Sequence, residues 1–155
     1  MTIRPAEFPE ETDLVRSLFR EYASWLNVDL CFQGFDDELA SLPGKYARPA
    51  GVVLLATERG HAMGCIALRP FEAKVAEMKR LWVRPQGRRR GLGARLVAEV
   101  ERVAASAGYE EIVLDTLRTM EAAVALYRRM GYEETEAYYH NPLPAAVYFR
   151  KRVTA

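Results

Sequence analysis

The sequence predicts an α/β fold built on a mixed sheet, and three features of the chain point to it. Two extended apolar stretches, 75–83 and 112–116, bracket a long amphipathic stretch opening near Gly91. A strand, long helix, strand order forces a right-handed crossover, which lays the two strands parallel. Stretches 51–57 and 63–69 are rich in Val, Leu and Ile and flank Glu58-Arg59-Gly60, as an antiparallel hairpin does. Between the strand ending near Val83 and the following helix stands Arg88-Arg89-Arg90-Gly91-Leu92-Gly93, a basic turn with glycines. There, unpaired N–H groups and the positive end of a helix dipole converge on one point, which suits a phosphate or pyrophosphate.

Taken in order, the elements follow from the spacing. Residues 2–5 read as a short first strand. After Pro9, residues Leu14, Leu18, Phe19, Tyr22, Trp25 and Leu26 recur with helical spacing. A short helix is expected over 36–42, stopped by Pro43-Gly44. The hairpin follows, and 75–83 adds a third strand to the meander. Leu92, Leu96, Val100, Val103 and Ala107 mark one face of a helix closed by Gly108 in the C′ role. Ile112-Val113-Leu114 is a continuous apolar run of the kind buried on both faces in a parallel pair. Met120, Ala123, Tyr127 and Met130 line a further helix closed by Gly131, and 132–139 with 145–153 form a closing antiparallel pair. With no repeat, low-complexity tract or dividing linker, 1–155 is expected to form one domain.

The chain has 155 residues, half of them hydrophobic, with 22 basic and 21 acidic side chains. A balance so close to neutral asks for neither nucleic acid nor an acidic membrane. The N-terminus has no apolar core of a signal peptide, and the longest apolar run, 51–56, is too short to span a bilayer, so the cytoplasm is the expected compartment. Cys31 and Cys65 stand apart from each other and from His61 and His140. That spacing gives no metal site and no disulfide framework, and both cysteines read as reduced core or near-core residues.

Gly91 and Gly93 let a phosphate approach the backbone, yet the chain has neither a Rossmann fingerprint nor a Walker loop at this turn. What Arg88-Arg89-Arg90-Gly91-Leu92-Gly93 resembles is the Arg/Gln-x-x-Gly-x-Gly/Ala signature of the GNAT superfamily of N-acetyltransferases. The resemblance extends over nearly the whole chain, through Leu81-Trp82-Val83-Arg84-Pro85, the Gly64-bearing third strand, Leu114-Asp115 and Leu126-Tyr127-Arg128-Arg129-Met130-Gly131-Tyr132. It implies a GNAT fold of about seven strands and four helices, splayed between the fourth and fifth strands. It also implies acetyl-CoA as the acetyl donor, with no metal.

In that arrangement the backbone from Arg88 through Ala94, that is Arg88, Arg89, Arg90, Gly91, Leu92, Gly93 and Ala94, would hold the pyrophosphate. The pantetheine arm would run along Leu81, Trp82 and Val83, with backbone contacts from Leu81 and Val83. A β-bulge in that strand would free an N–H for the thioester oxygen. The three arginine side chains either pair with phosphates of the coenzyme or form a solvated turn. Many members carry an asparagine seven residues before the helix tyrosine; here that position is Met120, and Thr116 or Arg118 is the expected replacement.

Tyr127 matches the family tyrosine that protonates the departing thiolate, while its spacing alone also suits a core aromatic. A phenol with an ordinary pKa near 10 keeps its proton at neutral pH. Glu77 lies 14 residues before Gly91, the offset of the general-base glutamate in the histone-acetylating branch. Burial of that carboxylate would raise its pKa toward the range useful for a base; an ion pair with Lys79, Arg80 or a neighbouring strand is the other reading. Asp115 either takes part in proton transfer or orients a neighbour. The acceptor side is expected around Trp25, Phe32, Phe35, Asp36 and Asp37, together with the segment from Tyr138 to Pro142. Trp25, Phe32, Tyr138 and Asn141 are the expected contacts. The acceptor is expected to be a small-molecule amine, with a protein or peptide amine, or a non-catalytic acyl-CoA-binding module, as alternatives. The chain is expected to act as a monomer or homodimer.

Overall fold

The sheet places its strands so that two neighbours part company. In a computed structural model that describes residues 1–154, apart from the side chain of Phe32, the strands are β1 (Thr2–Pro5), β2 (Val52–Glu58), β3 (His61–Glu72), β4 (Val75–Val83), β5 (Glu111–Leu117), β6 (Glu133–Thr135) and β7 (Ala146–Arg152). Four α-helices accompany them: α1 (Thr12–Leu26), α2 (Phe35–Ala40), α3 (Leu92–Ser106) and α4 (Glu121–Arg129). The seven strands run in the order β1-β2-β3-β4-β5-β7-β6. Among the described residues only β4 and β5 are parallel, joined through α3, as the strand, helix, strand order predicts.

Alternation along the central strands sends side chains to two cores. Val52, Leu54 and Ala56 of β2 face the layer of Leu92, Leu96 and Val100 from α3 and Leu126 and Tyr127 from α4. Val53 and Leu55 face the opposite layer, with Val15, Leu18 and Phe19 from α1 and Phe35 and Leu39 from α2.

The splay has two local causes. Strands β4 and β5 pair only from Val75 to Glu77 against Glu111 to Val113, which leaves the β5-facing edge of β4 open beyond Glu77. Opposite, Cys65 pairs with Trp82 but Ala67 pairs with Lys79, so Ile66 stands against both Arg80 and Leu81. This is a β-bulge, and Arg80 absorbs it with a φ of 62°. Gly64 is required beside it. A Cβ there would lie 2.6 Å from the Trp82 carbonyl oxygen, and that oxygen belongs to backbone that cannot swing aside. Gly64→Ala is expected to cost about 1–3 kcal/mol of stability, read as a lower urea midpoint; an unchanged midpoint would show that β3 and β4 can separate freely here.

Three expectations need correction. The strand proposed for 132–139 is limited to Glu133–Thr135, because the chain then leaves β7 and Tyr138 and Tyr139 reach buried carboxylates on the sheet. The short helix begins at Phe35 and ends at Ala40; a residue before proline is pushed out of the helical region, which removes Leu42. Cys65 is buried, but Cys31 is exposed, in a 3-10 turn over Cys31–Gln33 whose first N–H is taken by the Asp29 carboxylate at 2.8 Å.

Candidate active site

The site is assembled from the α3 N-terminus, the open edge of β4, the parting end of β5 and the inner face of α4. At the α3 N-terminus the chain turns through Arg89 at φ 62° and Gly91 at φ 70°, and Gly91 caps the helix. The first backbone bond of the helix is donated by Arg95 to the Gly91 carbonyl at 3.1 Å. Among the described residues, the N–H groups of Arg89 and of Gly91 through Ala94 have no backbone acceptor. They stand at the positive end of a fifteen-residue helix, which suits a diphosphate. Gly93 sits inside the helix, where it lets Leu126 of α4 pack close: a Cβ there would be 3.3 Å from Leu126 Cδ2.

The arginines divide. Arg88 donates from Nε to the Val83 carbonyl at 3.1 Å, and its guanidinium lies 5.2 Å from the Trp82 ring. Arg90 is ion-paired with Glu58 at the end of β2. Arg89 is the member of the run left with no side-chain hydrogen bond among the described residues. Two of the three guanidiniums thus brace the loop, and the donors facing the empty space are mainly backbone.

The parting of β4 and β5 opens a cavity of about 80 Å³. Leu81, Thr116, Met120 and Tyr127 are on its walls, joined by Lys79 and Asp115. That volume suits the reacting ends of two molecules, since pockets that enclose a whole ligand run to roughly 300–1,000 Å³. Tyr127 is held by edge contacts with Tyr132 and a tilted contact with Phe149, with ring centroids 5.8 and 6.2 Å away. Its hydroxyl makes no hydrogen bond among the described residues. Burial pushes its pKa above the ordinary tyrosine value, with Tyr22 and Asp115 adding to the rise. Trp82 does not share this side. Its indole donates to Glu21 at 3.0 Å and packs against Trp25, so only its backbone belongs to the open edge.

Lys79, Asp115, Gln33 and Asn141 make part of the lining polar, while Glu77 does not itself line the cavity. Glu77 accepts from Arg69 Nε at 2.9 Å and from the Tyr138 hydroxyl at 2.6 Å, with Lys79 Nζ 3.8 Å away. Burial works to raise its pKa, but Lys79, Arg69 and the Tyr138 hydroxyl together outweigh burial and hold it below the ordinary glutamate value. The expected upward shift is therefore reversed. Its ion-pair partners are Arg69 and Lys79; Arg80 instead grips Glu38 through two bonds of 3.0 Å. Asp115 accepts from Asn141 Nδ2 at 2.9 Å and from the Tyr139 hydroxyl. Tyr139 in turn accepts from Gln33 Nε2 at 3.2 Å. Trp25 and Asn141 also line the cavity, while Tyr138 backs it through Glu77. The expected contact from Phe32 lies outside the described residues.

The Acetyltransferase (GNAT) family profile matches residues 13–132, from the start of α1 to just past α4. The chain belongs to the GNAT acetyltransferase family. An uncharacterized N-acetyltransferase of Schizosaccharomyces pombe is 44% identical over 152 residues, covering 97% of this chain and 93% of that protein. A GNAT-family acetyltransferase from Staphylococcus aureus superposes with a TM-score of 0.81 at 16% identity, covering 97% of this chain and 98% of that one. An aminoglycoside 6'-N-acetyltransferase complexed with coenzyme A superposes with a TM-score of 0.75 at 18% identity, covering 100% of this chain and 98% of that one. The mixed seven-stranded sheet is thus a GNAT fold, and the protein is an acetyltransferase.

Several residues of this GNAT site escape a reading of the sequence. Nothing in the sequence marks Arg69 or Gln33 as site residues, Lys79 reads there only as an ion-pair partner of Glu77, and Tyr139 only as part of the 138–142 segment on the acceptor side. One signal was available for Lys79: Glu77 and Lys79 are two apart in a strand, so both charges must share a face. The family match ends at 132, short of Tyr138, Tyr139 and Asn141. Among the described residues, no group of three or more His, Cys, Asp or Glu could hold a metal ion, and no helix is long and apolar enough to cross a membrane.

Proposed function

We propose that the protein transfers acetyl from acetyl-CoA to the primary amine of a small metabolite or amino-acid-like acceptor, with the cytoplasm as its compartment. The observation that carries this reading is the cavity between the parted strands, which has Tyr127 and Leu81 on its walls, with the Tyr127 hydroxyl unpartnered among the described residues, while β4 continues from Leu81 to the loop whose N–H groups have no backbone acceptor there. Those donors fit a diphosphate, and the open strand edge fits an amide-bearing arm. When bound, acetyl-CoA supplies the activated acetyl group as a thioester.

The loop from Arg88 to Ala94 binds the diphosphate through its backbone, with the Arg89 side chain free to reach a phosphate. Leu81, placed at the bulge, turns backbone toward the thioester oxygen, where negative charge develops. Tyr127 donates its proton to the departing sulfur. Thr116 stands on the wall of the pantetheine arm where the family asparagine is replaced by Met120. Asp115, Asn141 and Trp25 form the acceptor wall. Glu77, tied to Arg69 and Tyr138, fits the ion-pair reading better than the base reading.

A small acceptor is favoured by the bridge from Gln33 to Tyr139. It links the turn after α1 to the 136–145 loop, across the gap that a peptide acceptor would need open. The test is thiol release from acetyl-CoA across amines, polyamines, amino acids and peptides, alongside thermal unfolding with acetyl-CoA. At about 100 times Kd the ligand should add roughly 2.7 kcal/mol of stability, and release should be fastest with a small amine. Release only with peptides would overturn the acceptor class; no thermal shift at saturation would overturn the donor.

A further inference from the structure

We propose that Lys79, as its neutral amine, is the general base that takes the proton from the acceptor's ammonium group. The proposal rests on the acetyltransferase reading above and adds a residue to it. Lys79 is two residues before Leu81 on β4, and both line the cavity that also holds Tyr127 and Asp115. Its side chain is buried, with 3% exposed. Its nitrogen is 3.8 Å from the nearer Glu77 oxygen and 3.9 Å from Asp115 Oδ1, both beyond hydrogen-bond reach. The amine is therefore close to the acceptor's place without being consumed by a partner.

Four charged groups act on Lys79. On β4 they are Glu77 and Arg80, on β5 Asp115, and on β3 Arg69. Tyr22 of α1 and Tyr127 of α4 line the same cavity, and Tyr138 and Tyr139 of the 136–145 loop bond to the two carboxylates, Glu77 and Asp115. Burial is the largest influence and disfavours the ammonium, and the Arg80 guanidinium disfavours it further; Glu77 and Asp115 oppose them only in part, leaving the Lys79 pKa at about 8. A base whose pKa is near the working pH holds a useful fraction in the neutral form and still has the affinity to take a proton. Glu77 lacks that property here, because its proton affinity is held below normal and its oxygens already accept from Arg69 and Tyr138. Asp115, with Oδ1 toward Lys79, offers the incoming ammonium an opposite charge beside the base.

The proton balance closes. The acceptor ammonium gives one proton to the Lys79 lone pair. The freed nitrogen pair forms the C–N bond to the acetyl carbon, and the C–S bond breaks with its electrons going to sulfur. Sulfur takes the Tyr127 proton, and the second proton lost by the nitrogen restores the Tyr127 hydroxyl. Lys79 passes its proton to water at the cavity mouth, so each turnover yields one amide, one thiol and one released proton.

Lys79→Arg and Lys79→Met separate a base from a mere charge, because arginine keeps the charge and cannot be deprotonated in this range. Both variants are expected to lose roughly 100-fold or more in kcat and to lose the limb of the kcat/KM profile near pH 8, while keeping the thermal shift with acetyl-CoA. The chain has four lysines, Lys45, Lys74, Lys79 and Lys151, so side-chain NMR of the unliganded wild-type protein gives a readout independent of turnover. The resonance missing from the Lys79→Arg spectrum, or assigned by coupling within Lys79 if that variant does not fold, should titrate near pH 8. An active Lys79→Arg enzyme, or a Lys79 that titrates in the ordinary range near 10, overturns the base. Acetyl-CoA binding with no thiol release from the wild type for any amine overturns the transferase reading, and the base with it.

Discussion

Tyr127→Phe is expected to lower kcat by roughly 100- to 10,000-fold, the range that a positioned general acid supplies, while leaving KM for acetyl-CoA nearly unchanged. The substitution removes one oxygen from a ring packed against Tyr132 and Phe149, so the walls of the cavity keep their shape. That oxygen makes no other hydrogen bond among the described residues, so its loss strands no buried partner and the fold should hardly respond. Its burial keeps the phenol protonated throughout the working range, as a donor to the leaving thiolate must be. A loss confined to kcat marks an interaction made in the transition state rather than in binding. Steady-state kinetics with a small amine decide it: a Tyr127→Phe enzyme with parental turnover would place the proton donor elsewhere.

Arg80→Met is expected to cost about 3–5 kcal/mol, as happens when one member of a buried ion pair is removed and the other charge is left behind. Arg80 is 3% exposed. Its guanidinium makes two bonds of 3.0 Å to Glu38 and one of 2.8 Å to Gln33, and lies 5.1 Å from the Phe35 ring centroid. One side chain therefore fastens α2 and the 31–33 turn to the bulge in β4. Methionine would fill much of the volume but leave Glu38 buried without its counter-charge. Urea unfolding measures the loss, and Arg80→Met combined with Glu38→Gln should recover part of it, because the stranded carboxylate is then gone. An unchanged midpoint in Arg80→Met would show that Glu38 escapes to water. The same substitution removes one of the positive charges that hold the Lys79 pKa down, so the Lys79 resonance should titrate higher.

The parts of the fold that follow from local periodicity were legible in the sequence. Leu92, Leu96 and Val100 announced α3, the turn at Glu58-Arg59-Gly60 announced the hairpin, and the crossover rule set β4 and β5 parallel. The family resemblance supplied the splay, whose local causes depend on register. Nothing in Lys79-Arg80-Leu81-Trp82 says that Ile66 will face two residues instead of one. The site divides in the same way. Gly91 and its neighbours could be read as a donor loop because a helix N-terminus behaves alike wherever it occurs. The fates of Arg88, Arg90 and Glu77 depended on partners at Val83, Glu58 and Arg69, remote in sequence or chosen by packing. Tyr138 and Tyr139 looked like strand residues because aromatic side chains favour strands, yet their hydroxyls are drawn to Glu77 and Asp115. Lys79 could be placed on the face of Glu77, but its burial beside two carboxylates appears only when β5 and the 136–145 loop are in position.

Backbone amide NMR during a titration with acetyl-CoA reads, residue by residue, where the acetyl donor lies. The N–H resonances of Arg89, Gly91, Leu92, Gly93 and Ala94 should shift together and saturate, joined by Leu81 at the bulge, while those of β1 and the outer face of α3 stay in place. Saturable shifts elsewhere on the chain, with the loop from Arg88 to Ala94 unmoved, would contradict this placement.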